Sequence, residues 1–318
     1  MTTHLAILDD YQGVALELAD WASLGPEVSV ISIREVLPNI EAAARRLSNF
    51  EILVAMRERT PFPKALIERL PKLKLLVTTG MRNASIDAKT ALDRGIAVCG
   101  TEMLSHPTAE LTWGLLLSLA RGIPREARNM SEGRWQTTVG VGLRGKTLGL
   151  LGLGRLGGEV AKIGKAFGME LIAWSGNLTA ERAAAAGAEF VAKNELFRRA
   201  DFVTIHLVLS ERTKGLVGAS ELSAMKPTAF LVNTSRGPIV DTPALIAALE
   251  LKRIAGAAID VYDTEPLPAD HPLRRLENAL LTPHIGYVIA ENYRLAYGQA
   301  VENVRGFLAG KPLRMLKV

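Results

Sequence analysis

Three short segments each place a chemically useful side chain directly after an apolar run that is typical of a β-strand. The segments are 233–237 (NTSRG), 260–268 (DVYDTEPLP) and 281–286 (LTPHIG). Arg236 can hold planar oxygen atoms with its fork of N–H donors, and His284 can give and take a proton near neutral pH. Glu265 can bond the second ring nitrogen of such a histidine, orient the ring and favour its charged form. Because α/β sheets bind ligands at the carboxyl ends of their strands, the three segments predict one reacting centre.

A glycine loop follows another strand pattern. Residues 146–162 read KTLGLLGLGRLGGEVAK, so a strand is followed by G-x-G-x-x-G and then by a helix. In this setting the motif predicts a dinucleotide site. The first glycine allows a tight turn, the second lets the backbone approach a pyrophosphate, and the third lets the helix pack closely on the strand. N–H groups at the positive helix end would face the phosphates. The residues expected at the cofactor are Gly152, Gly154, Arg155, Leu156 and Gly157.

The strand after the glycine loop ends in 173–177 (AWSGN), where the residue that reads the adenosine ribose is expected. NAD-selective sites usually place Asp or Glu there to bind the 2′-hydroxyl. Ser175 occupies the position instead, and Arg182 lies a few residues further on. A carboxylate would repel a 2′-phosphate, whereas a serine would not. The sequence therefore leaves NAD(H) and NADP(H) both open as the cofactor.

The elements that position these residues form two series of apolar strands separated by helices. Strands are predicted over 4–9, 28–33, 52–56, 73–79 and 96–99, and again over 147–151, 171–174, 202–206, 229–233, 255–260 and 279–282. Helices are predicted over 40–47, 86–94, 107–121 with an amphipathic continuation over 125–135, and 290–308. Near-continuous apolar strands that alternate with helices predict an α/β protein with two doubly wound parallel sheets.

The composition supports an ordinary globular protein. With 318 residues, 48% hydrophobic and 22% charged, the chain is long enough for two domains at ~150 residues each. The single cysteine, Cys99, excludes an internal disulfide and fits a reducing compartment. The N-terminus does not resemble a secretory signal, and the most apolar stretch, 111–120, is shorter than the ~20 residues of a membrane span. We expect a soluble, cytoplasmic protein.

The net charge of +5 and pI of about 9.3 come without any run of four Lys or Arg residues. A nucleic-acid partner is therefore not expected, and the mild positive field would attract anionic substrates and cofactors. No spacing of His, Cys, Asp and Glu resembles a metal site, so no metal is expected.

Together with the glycine loop, the NTSRG, EPLP and PHIG segments strongly resemble the D-isomer-specific 2-hydroxyacid dehydrogenase family, in the same order over essentially the whole chain. The resemblance implies that Arg236, Glu265 and His284 form a catalytic triad. Taken alone, Arg236 would be interpreted as a surface cation, Glu265 as a solvated loop carboxylate and His284 as a turn histidine. The resemblance also implies a set of residues at the cofactor cleft: His206, Thr234, Asp260 near the nicotinamide, and Gly286.

The resemblance further implies a flavodoxin-like substrate domain, 1–101 plus 287–318, into which a Rossmann NAD(P)-binding domain, 102–286, is inserted. The implied reaction moves a hydride between NAD(P)(H) and a small anionic D-2-hydroxy or 2-oxo acid. Reduction of a 2-oxo acid needs a cation for its oxygens and a proton donor for the forming alkoxide, which Arg236 and His284 can supply. The hydride chemistry belongs to the cofactor.

The segment 78–87 (TTGMRNASID) is the expected substrate loop. In the family a glycine-rich turn here offers N–H groups to the substrate carboxylate. Gly80 matches that turn, and the N–H groups of Met81 and Arg82 are expected to bind the carboxylate. Arg82 stands where the family usually has a small residue, and Arg57, at the end of the third strand, is expected to face the same cleft. Residues 287–289 (YVI) also differ from the family's commoner small residues. These departures leave the identity of the acid open.

Three other functions occur in proteins of similar architecture. Formate dehydrogenase carries glutamine where Glu265 stands, which argues against it. Phosphite oxidation stays open because it keeps the Arg–Glu–His set. A non-catalytic NAD(H)-sensing protein of the same fold also stays open, although no partner-docking extension is evident. Because the segments 111–120 and 125–135 are too apolar to leave exposed and lie where the family places its dimer contact, we expect a homodimer.

Overall fold

The structure is a computed structural model of the chain, and it describes residues 2–316. The described chain divides into two compact units: one runs up to Leu104 and resumes at Val288, and the other spans Ser105–Tyr287. Met1, Lys317 and Val318, which belong to the predicted substrate domain, lie outside the described residues.

The first unit is built on a five-stranded parallel sheet. Its strands are β1 (Thr3–Ile7), β2 (Val28–Ser32), β3 (Ile52–Ala55), β4 (Leu75–Thr78) and β5 (Ala97–Gly100), in the order β2-β1-β3-β4-β5. Its helices are α1 (Ile40–Leu47), α2 (Lys64–Ile67), α3 (Ala88–Asp93) and the late α11 (Ala290–Leu308). Every residue of β3 and β4 is buried, as expected for parallel strands that are covered on both faces. The strand order is that of the flavodoxin-like doubly wound fold.

The second unit is built on a seven-stranded parallel sheet. Its strands are β6 (Thr147–Leu151), β7 (Glu170–Trp174), β8 (Glu189–Phe190), β9 (Phe202–Ile205), β10 (Phe230–Asn233), β11 (Gly256–Ile259) and β12 (Ala279–Leu281). Their order, β12-β11-β10-β9-β6-β7-β8, is the Rossmann order with one additional edge strand, so the order reverses between β6 and β9. The helices are α4 (His106–Arg121), α5 (Ile123–Ser131), α6 (Arg155–Ala166), α7 (Ala180–Ala185), α8 (Lys193–Arg199), α9 (Ala219–Ala224) and α10 (Thr242–Glu250).

Two apolar clusters fill the two faces of the seven-stranded sheet. Successive strand residues point to opposite faces, so Leu151 and Leu231 belong to one cluster, while Leu150 and Val232 belong to the other. The parallel register aligns the strand ends, with Asn233 of β10 opposite both Ile205 and Ile259. Residues that follow these strands therefore emerge at one edge of the sheet.

The predicted fold class, two doubly wound parallel-sheet domains, is confirmed. Three details of the element prediction are wrong. The helix expected to continue over 125–135 is a separate α5 that ends at Ser131, because Gly122 takes the left-handed conformation (φ 62°) and ends α4. The short strand β8 was not predicted. The strand predicted to reach 9 ends two residues earlier, and those predicted to reach 33, 56, 79, 206, 260 and 282 each end one residue earlier, where the chain leaves the sheet.

No helix in the described part of the chain combines the length and apolar character needed to cross a membrane.

Candidate active site

The side chains of Glu265 and His284 meet at the carboxyl edge of the second unit's sheet. β12 ends at Leu281, and the turn after it holds His284 in the left-handed conformation, with φ of 51°. The imidazole Nδ1 lies 2.6 Å from Glu265 Oε2, and Glu265 Oε1 accepts a 2.9 Å hydrogen bond from the Tyr262 N–H. The His284 side chain is 22% exposed and the Glu265 side chain 32% exposed, so both are partly enclosed and both can still be reached from solvent.

The electrostatic surroundings keep the Glu265 carboxylate ionised. Burial by itself would raise its pKa. The hydrogen bond and charge of His284, the Tyr262 N–H and the charge of Arg236 outweigh burial and lower the pKa below its ordinary value. A carboxylate held on Nδ1 fixes the ring orientation and leaves Nε2 as the nitrogen that can exchange a proton with a ligand.

Arg236 follows β10 in a segment that is held by its own hydrogen bonds. The Asn233 amide donates to Arg236 O at 3.0 Å and accepts from Ser235 N–H at 3.0 Å, and the Ser235 hydroxyl donates to Leu207 O. Arg236 Nη1 donates to Ser235 O at 2.8 Å. A Cβ at Gly237 would lie 2.1 Å from the Tyr262 carbonyl carbon. Only glycine therefore lets the arginine segment approach the Glu265 segment this closely.

Asp260, at the end of β11, holds the turn that carries His284. Its Oδ1 accepts hydrogen bonds from the Thr282 hydroxyl at 2.6 Å and from Ile285 N–H at 2.9 Å. Its Oδ2 accepts from Gly286 N–H at 2.9 Å. Burial raises the pKa of Asp260, and these three donors and the charge of His284 oppose that rise. The predicted cofactor residues Asp260 and Gly286 are thus in direct contact.

Two threonines of α4 were missed by the sequence reasoning. The Thr112 hydroxyl lies 2.7 Å from the Thr234 hydroxyl, and the Thr108 hydroxyl donates to Gly286 O at 3.0 Å. These hydrogen bonds join α4 to Thr234 and Gly286, two of the predicted cofactor residues. The signal that could have found Thr108 and Thr112 is their spacing, since two threonines four residues apart share one face of an otherwise apolar helix.

The glycine loop has the geometry expected for a dinucleotide. Gly152 has φ of 105°, in the left-handed region that favours glycine, and a Cβ at Gly157 would lie only 2.2 Å from Gly152 O. A Cβ at Gly154, by contrast, would meet nothing within 4 Å. α6 begins at Arg155 without any side-chain cap. The amide groups of the first turn, which includes Leu156, are therefore available to a phosphate. These residues fit the pyrophosphate of a dinucleotide.

Ser175 directly follows β7 and is half-buried. Arg182 Nη1 donates to Asn177 O at 3.3 Å, so the guanidinium lies beside the loop that Ser175 begins. Thr179 caps α7 by accepting from Arg182 N–H at 3.3 Å. A hydroxyl and a cation, rather than a carboxylate, therefore lie at the loop where the ribose is expected.

His206 directly follows β9 at the point where the strand order reverses. The residue is half-buried, but its Nε2 atom is fully enclosed and has no hydrogen-bond partner among residues 2–316. Burial lowers the pKa of His206 to about 4, so the ring is neutral at neutral pH. A Cβ at Gly152 would lie 2.7 Å from His206 O. His206 therefore contacts the glycine turn through its backbone.

The predicted substrate residues lie at the carboxyl edge of the first unit's sheet. Arg57 has φ of 53°, and its Nη1 donates to Thr79 O at 3.2 Å. A Cβ at Gly80 (φ 108°) would lie 1.9 Å from that Nη1. The Gly80 N–H donates to Thr101 Oγ1 at 3.1 Å, while Met81 and Arg82 are exposed.

Asn83, which lies in the predicted substrate loop but was given no role there, fixes the loop by donating to Arg57 O at 2.6 Å and to Thr78 Oγ1 at 2.9 Å. Two of the residues with unusual backbone conformation in the first unit, Arg57 and Gly80, thus share one polar network. Strained positions of this kind cluster where a ligand or a functional side chain must be held.

The predicted residues therefore form two groups. Arg236, Glu265, His284, Asp260, Thr234 and Gly286 lie together in the second unit, which also holds the glycine loop, Ser175 and His206; Arg57, Gly80, Met81 and Arg82 lie in the first. Across residues 2–316, no three His, Cys, Asp or Glu side chains are grouped so that they could hold a metal ion.

A family model and individual relatives both match this chain. Residues 113–286 match the family described as D-isomer specific 2-hydroxyacid dehydrogenase, NAD binding domain. The chain is 41% identical to a glyoxylate reductase of Aeropyrum pernix over 256 residues, which cover 77% of this chain and 76% of that protein. It is 37% identical to a D-3-phosphoglycerate dehydrogenase of Methanocaldococcus jannaschii over 85% of this chain and 52% of that protein, so it spans about half of that relative's length.

The structure is also similar to solved structures. A phosphoglycerate oxidoreductase from Vibrio cholerae superposes with a TM-score of 0.92 at 35% identity, covering 98% of this chain and 100% of that one. This similarity extends over both units of the chain.

Proposed function

Because the chain belongs to the D-isomer-specific 2-hydroxyacid dehydrogenase family, we propose that it is an enzyme that reduces a small 2-oxo acid to the D-2-hydroxy acid, and catalyses the reverse oxidation, with NAD(P)(H). The observation that carries this proposal is the 2.6 Å contact between Glu265 Oε2 and His284 Nδ1 beside Arg236. A carboxylate, an imidazole and a guanidinium at one sheet edge are the groups that carbonyl reduction requires from the protein.

We assign the three side chains distinct roles. Arg236 binds the carboxylate and carbonyl oxygens of the substrate with its N–H donors. His284 donates a proton from Nε2 to the forming alkoxide, and accepts it in the oxidation. Glu265 holds Nδ1 and stabilises the charged imidazolium, which makes His284 the acid in reduction.

The bound nicotinamide supplies or accepts the hydride. The chain's part is to hold the dinucleotide at the first turn of α6, where Gly152, Gly154 and Gly157 make room for it. Asp260 and Gly286 hold the His284 turn, and Thr234 contacts Thr112 of α4, the helix whose Thr108 bonds Gly286 O. These contacts support the assignment of the three residues to the nicotinamide side of the site. His206 contributes its backbone to the glycine turn.

We propose that NADP(H) is accepted as well as NAD(H). Ser175 cannot repel a 2′-phosphate as a carboxylate would, and the Arg182 guanidinium lies beside the same loop through its bond to Asn177 O. A charge-assisted bond from Arg182 to a 2′-phosphate would add to the affinity for NADP(H).

For the substrate we propose small 2-oxo acids, with glyoxylate and hydroxypyruvate first. The relatives named glyoxylate reductase and phosphoglycerate dehydrogenase support this range. In the first unit, we assign the backbone N–H groups of the exposed residues Met81 and Arg82 to the substrate carboxylate, with Gly80 and Arg57 shaping that loop.

We also propose a homodimer. Met130, Trp135 and Val139 are 59%, 73% and 99% exposed, and a monomer rarely leaves so many large apolar side chains open along one stretch. A second copy of this chain is the partner that closed two-fold symmetry would supply.

The proposed activity is tested with purified protein, NADH or NADPH, and glyoxylate or hydroxypyruvate, following absorbance of the reduced cofactor. His284→Ala should lower kcat by ~10²–10⁴-fold, the usual contribution of a general acid, with little change in dinucleotide affinity. His4→Ala, which changes an exposed histidine of β1, is the matched control. Turnover in His284→Ala near the wild-type rate would remove His284 from the mechanism. Dinucleotide binding without turnover of any 2-oxo acid would indicate the non-catalytic alternative.

A further inference from the structure

The segment 262–268, which carries Glu265, is poorly packed on one side. A cavity of about 90 Å³ lies against it, and the segment contributes Tyr262, Asp263, Thr264, Leu267 and Pro268 to the cavity wall. Residues on both sides of Glu265 therefore have fewer packing contacts where they border the cavity, and their hydrogen bonds contribute to holding the segment in place.

Tyr262 supplies hydrogen bonds to both halves of the Glu265–His284 pair. Its N–H donates to Glu265 Oε1 at 2.9 Å. Its hydroxyl lies 2.9 Å from Ile259 O and 2.9 Å from Thr282 O, so the single O–H proton is shared between the ends of β11 and β12. Thr282 O also accepts the His284 N–H at 3.1 Å. One tyrosine thus joins the segment that carries Glu265 to the turn that carries His284.

The hydroxyl of Tyr262 remains a donor at working pH. Burial and the negative charges of Asp260 and Glu265 raise the pKa of Tyr262 well above its ordinary value. At the other end of the segment, Arg274 donates from Nε to Pro268 O and from Nη2 to Leu267 O, both at 2.8 Å. Tyr262 and Arg274 therefore anchor the segment on either side of Glu265.

We propose that Tyr262 is a positioning residue for the Glu265–His284 pair, and that its hydroxyl sets the distance between the segment that carries Glu265 and the turn that carries His284. The catalytic part of this inference rests on the proposed function. Tyr262 itself touches neither substrate nor cofactor in this assignment, and it acts through Glu265 and through the turn of His284.

The test is Tyr262→Phe, which removes one oxygen atom and keeps the ring that borders the cavity. We expect kcat for glyoxylate reduction to fall about twofold to tenfold, the factor that corresponds to one neutral hydrogen bond. The KM for glyoxylate and the dissociation constant of the reduced dinucleotide should stay near their wild-type values. Tyr297→Phe, which removes a buried hydroxyl from α11 in the first unit, is the matched control and should leave kcat unchanged.

A second measurement detects the hydrogen bond between Glu265 and His284 without any substrate. The proton between His284 Nδ1 and Glu265 Oε2, in a hydrogen bond of 2.6 Å, should give a low-field ¹H NMR resonance. Glu265→Gln should abolish it, Tyr262→Phe should shift or broaden it, and Tyr297→Phe should leave it unchanged.

The outcomes separate the two proposals. If the wild type reduces no 2-oxo acid, the proposed function fails, and the resonance still reports whether Tyr262 positions the pair. If Tyr262→Phe keeps both the wild-type kcat and the wild-type resonance, the positioning role is refuted. A fall in kcat together with a lower melting temperature and an unchanged resonance would also overturn it, because the loss would then be general destabilisation.

Discussion

Three glycines in and beside the first turn of α6 allow the cofactor site to be tested separately from the stability of the fold. Gly154 precedes the helix, Gly157 lies in its first turn and Gly158 follows directly. A Cβ at Gly157 would lie 2.2 Å from Gly152 O, whereas a Cβ at Gly154 or Gly158 would meet nothing within 4 Å. The same Gly→Ala change should therefore have three different results.

Gly157→Ala should destabilise the protein. Its new methyl group would have to move about 1 Å away from the carbonyl oxygen to reach ordinary contact, and overpacking of this kind costs about 1–3 kcal/mol. At roughly 2–4 °C per kcal/mol for a unit of this size, the melting temperature should fall by several degrees. Dinucleotide affinity should fall as well, because the helix end moves away from the glycine turn.

Gly154→Ala should leave stability nearly unchanged, since φ of −85° is accessible to alanine and the loss at an N-cap is below about 1 kcal/mol. Its methyl group would occupy the open space into which the pyrophosphate must come. Losing one charge-assisted hydrogen bond there, about 1.5–3 kcal/mol, would raise the dissociation constant by about one to two decades.

Gly158→Ala is the control, and helix propensity predicts a gain of up to about 1 kcal/mol with normal binding. Thermal unfolding followed by circular dichroism, together with fluorescence titration of NADH and NADPH, measures both properties. The reasoning would be refuted if Gly157→Ala were as stable as Gly158→Ala, or if Gly154→Ala bound the dinucleotide as tightly as Gly158→Ala does.

Three further predictions concern specificity and assembly. Ser175→Asp should shift the ratio of kcat/KM towards NADH through repulsion of the 2′-phosphate; an unchanged ratio would show that Ser175 does not read the ribose. Arg82→Ala should lower kcat/KM for hydroxypyruvate or a phosphorylated 2-oxo acid by about one to two decades if its guanidinium reaches the substrate. Glyoxylate should be spared, and equal losses on both would mean that Arg82 only supports its loop. Light scattering at micromolar concentration should give the mass of a dimer, and a strictly monomeric mass would contradict the assembly.

The strand, glycine loop and helix that we propose as the cofactor site could be predicted from the sequence because their signals are local. The strand expected over 147–151 is β6 as observed, and the glycine loop leads into α6 at Arg155 as its motif requires. Helices α1 and α11 also match their predicted bounds. β8 could not be predicted, since Glu189 and Phe190 are both exposed and two residues carry no periodicity. The end of α4 at Arg121 matches the prediction, and the left-handed Gly122 that follows separates it from α5. α5 ends at Ser131 rather than at 135, because the amphipathic pattern gives no signal for the place where that helix stops.

The contacts that hold the site together were less accessible to sequence reasoning. Thr112 and Thr234 are 122 residues apart in the chain, yet their hydroxyls touch. No local pattern encodes which face of α4 meets which strand end. The residue types at the strand ends could be recognised, whereas the partners of those residues depend on tertiary packing.

For Asp260, the family resemblance and the structure give complementary information. The family resemblance implies a position near the nicotinamide, and the structure adds three hydrogen bonds from the turn that carries His284. That turn holds His284 in the left-handed conformation, which for a non-glycine residue is disfavoured by roughly 1–2 kcal/mol. Hydrogen bonds to a charged acceptor contribute about 1.5–3 kcal/mol each, so the three bonds to Asp260 act against this strain, while burial of the carboxylate, which raises its pKa, reduces their net contribution. The backbone conformation of His284, and with it the approach of its imidazole to Glu265, therefore depends on the residue assigned to the cofactor cleft.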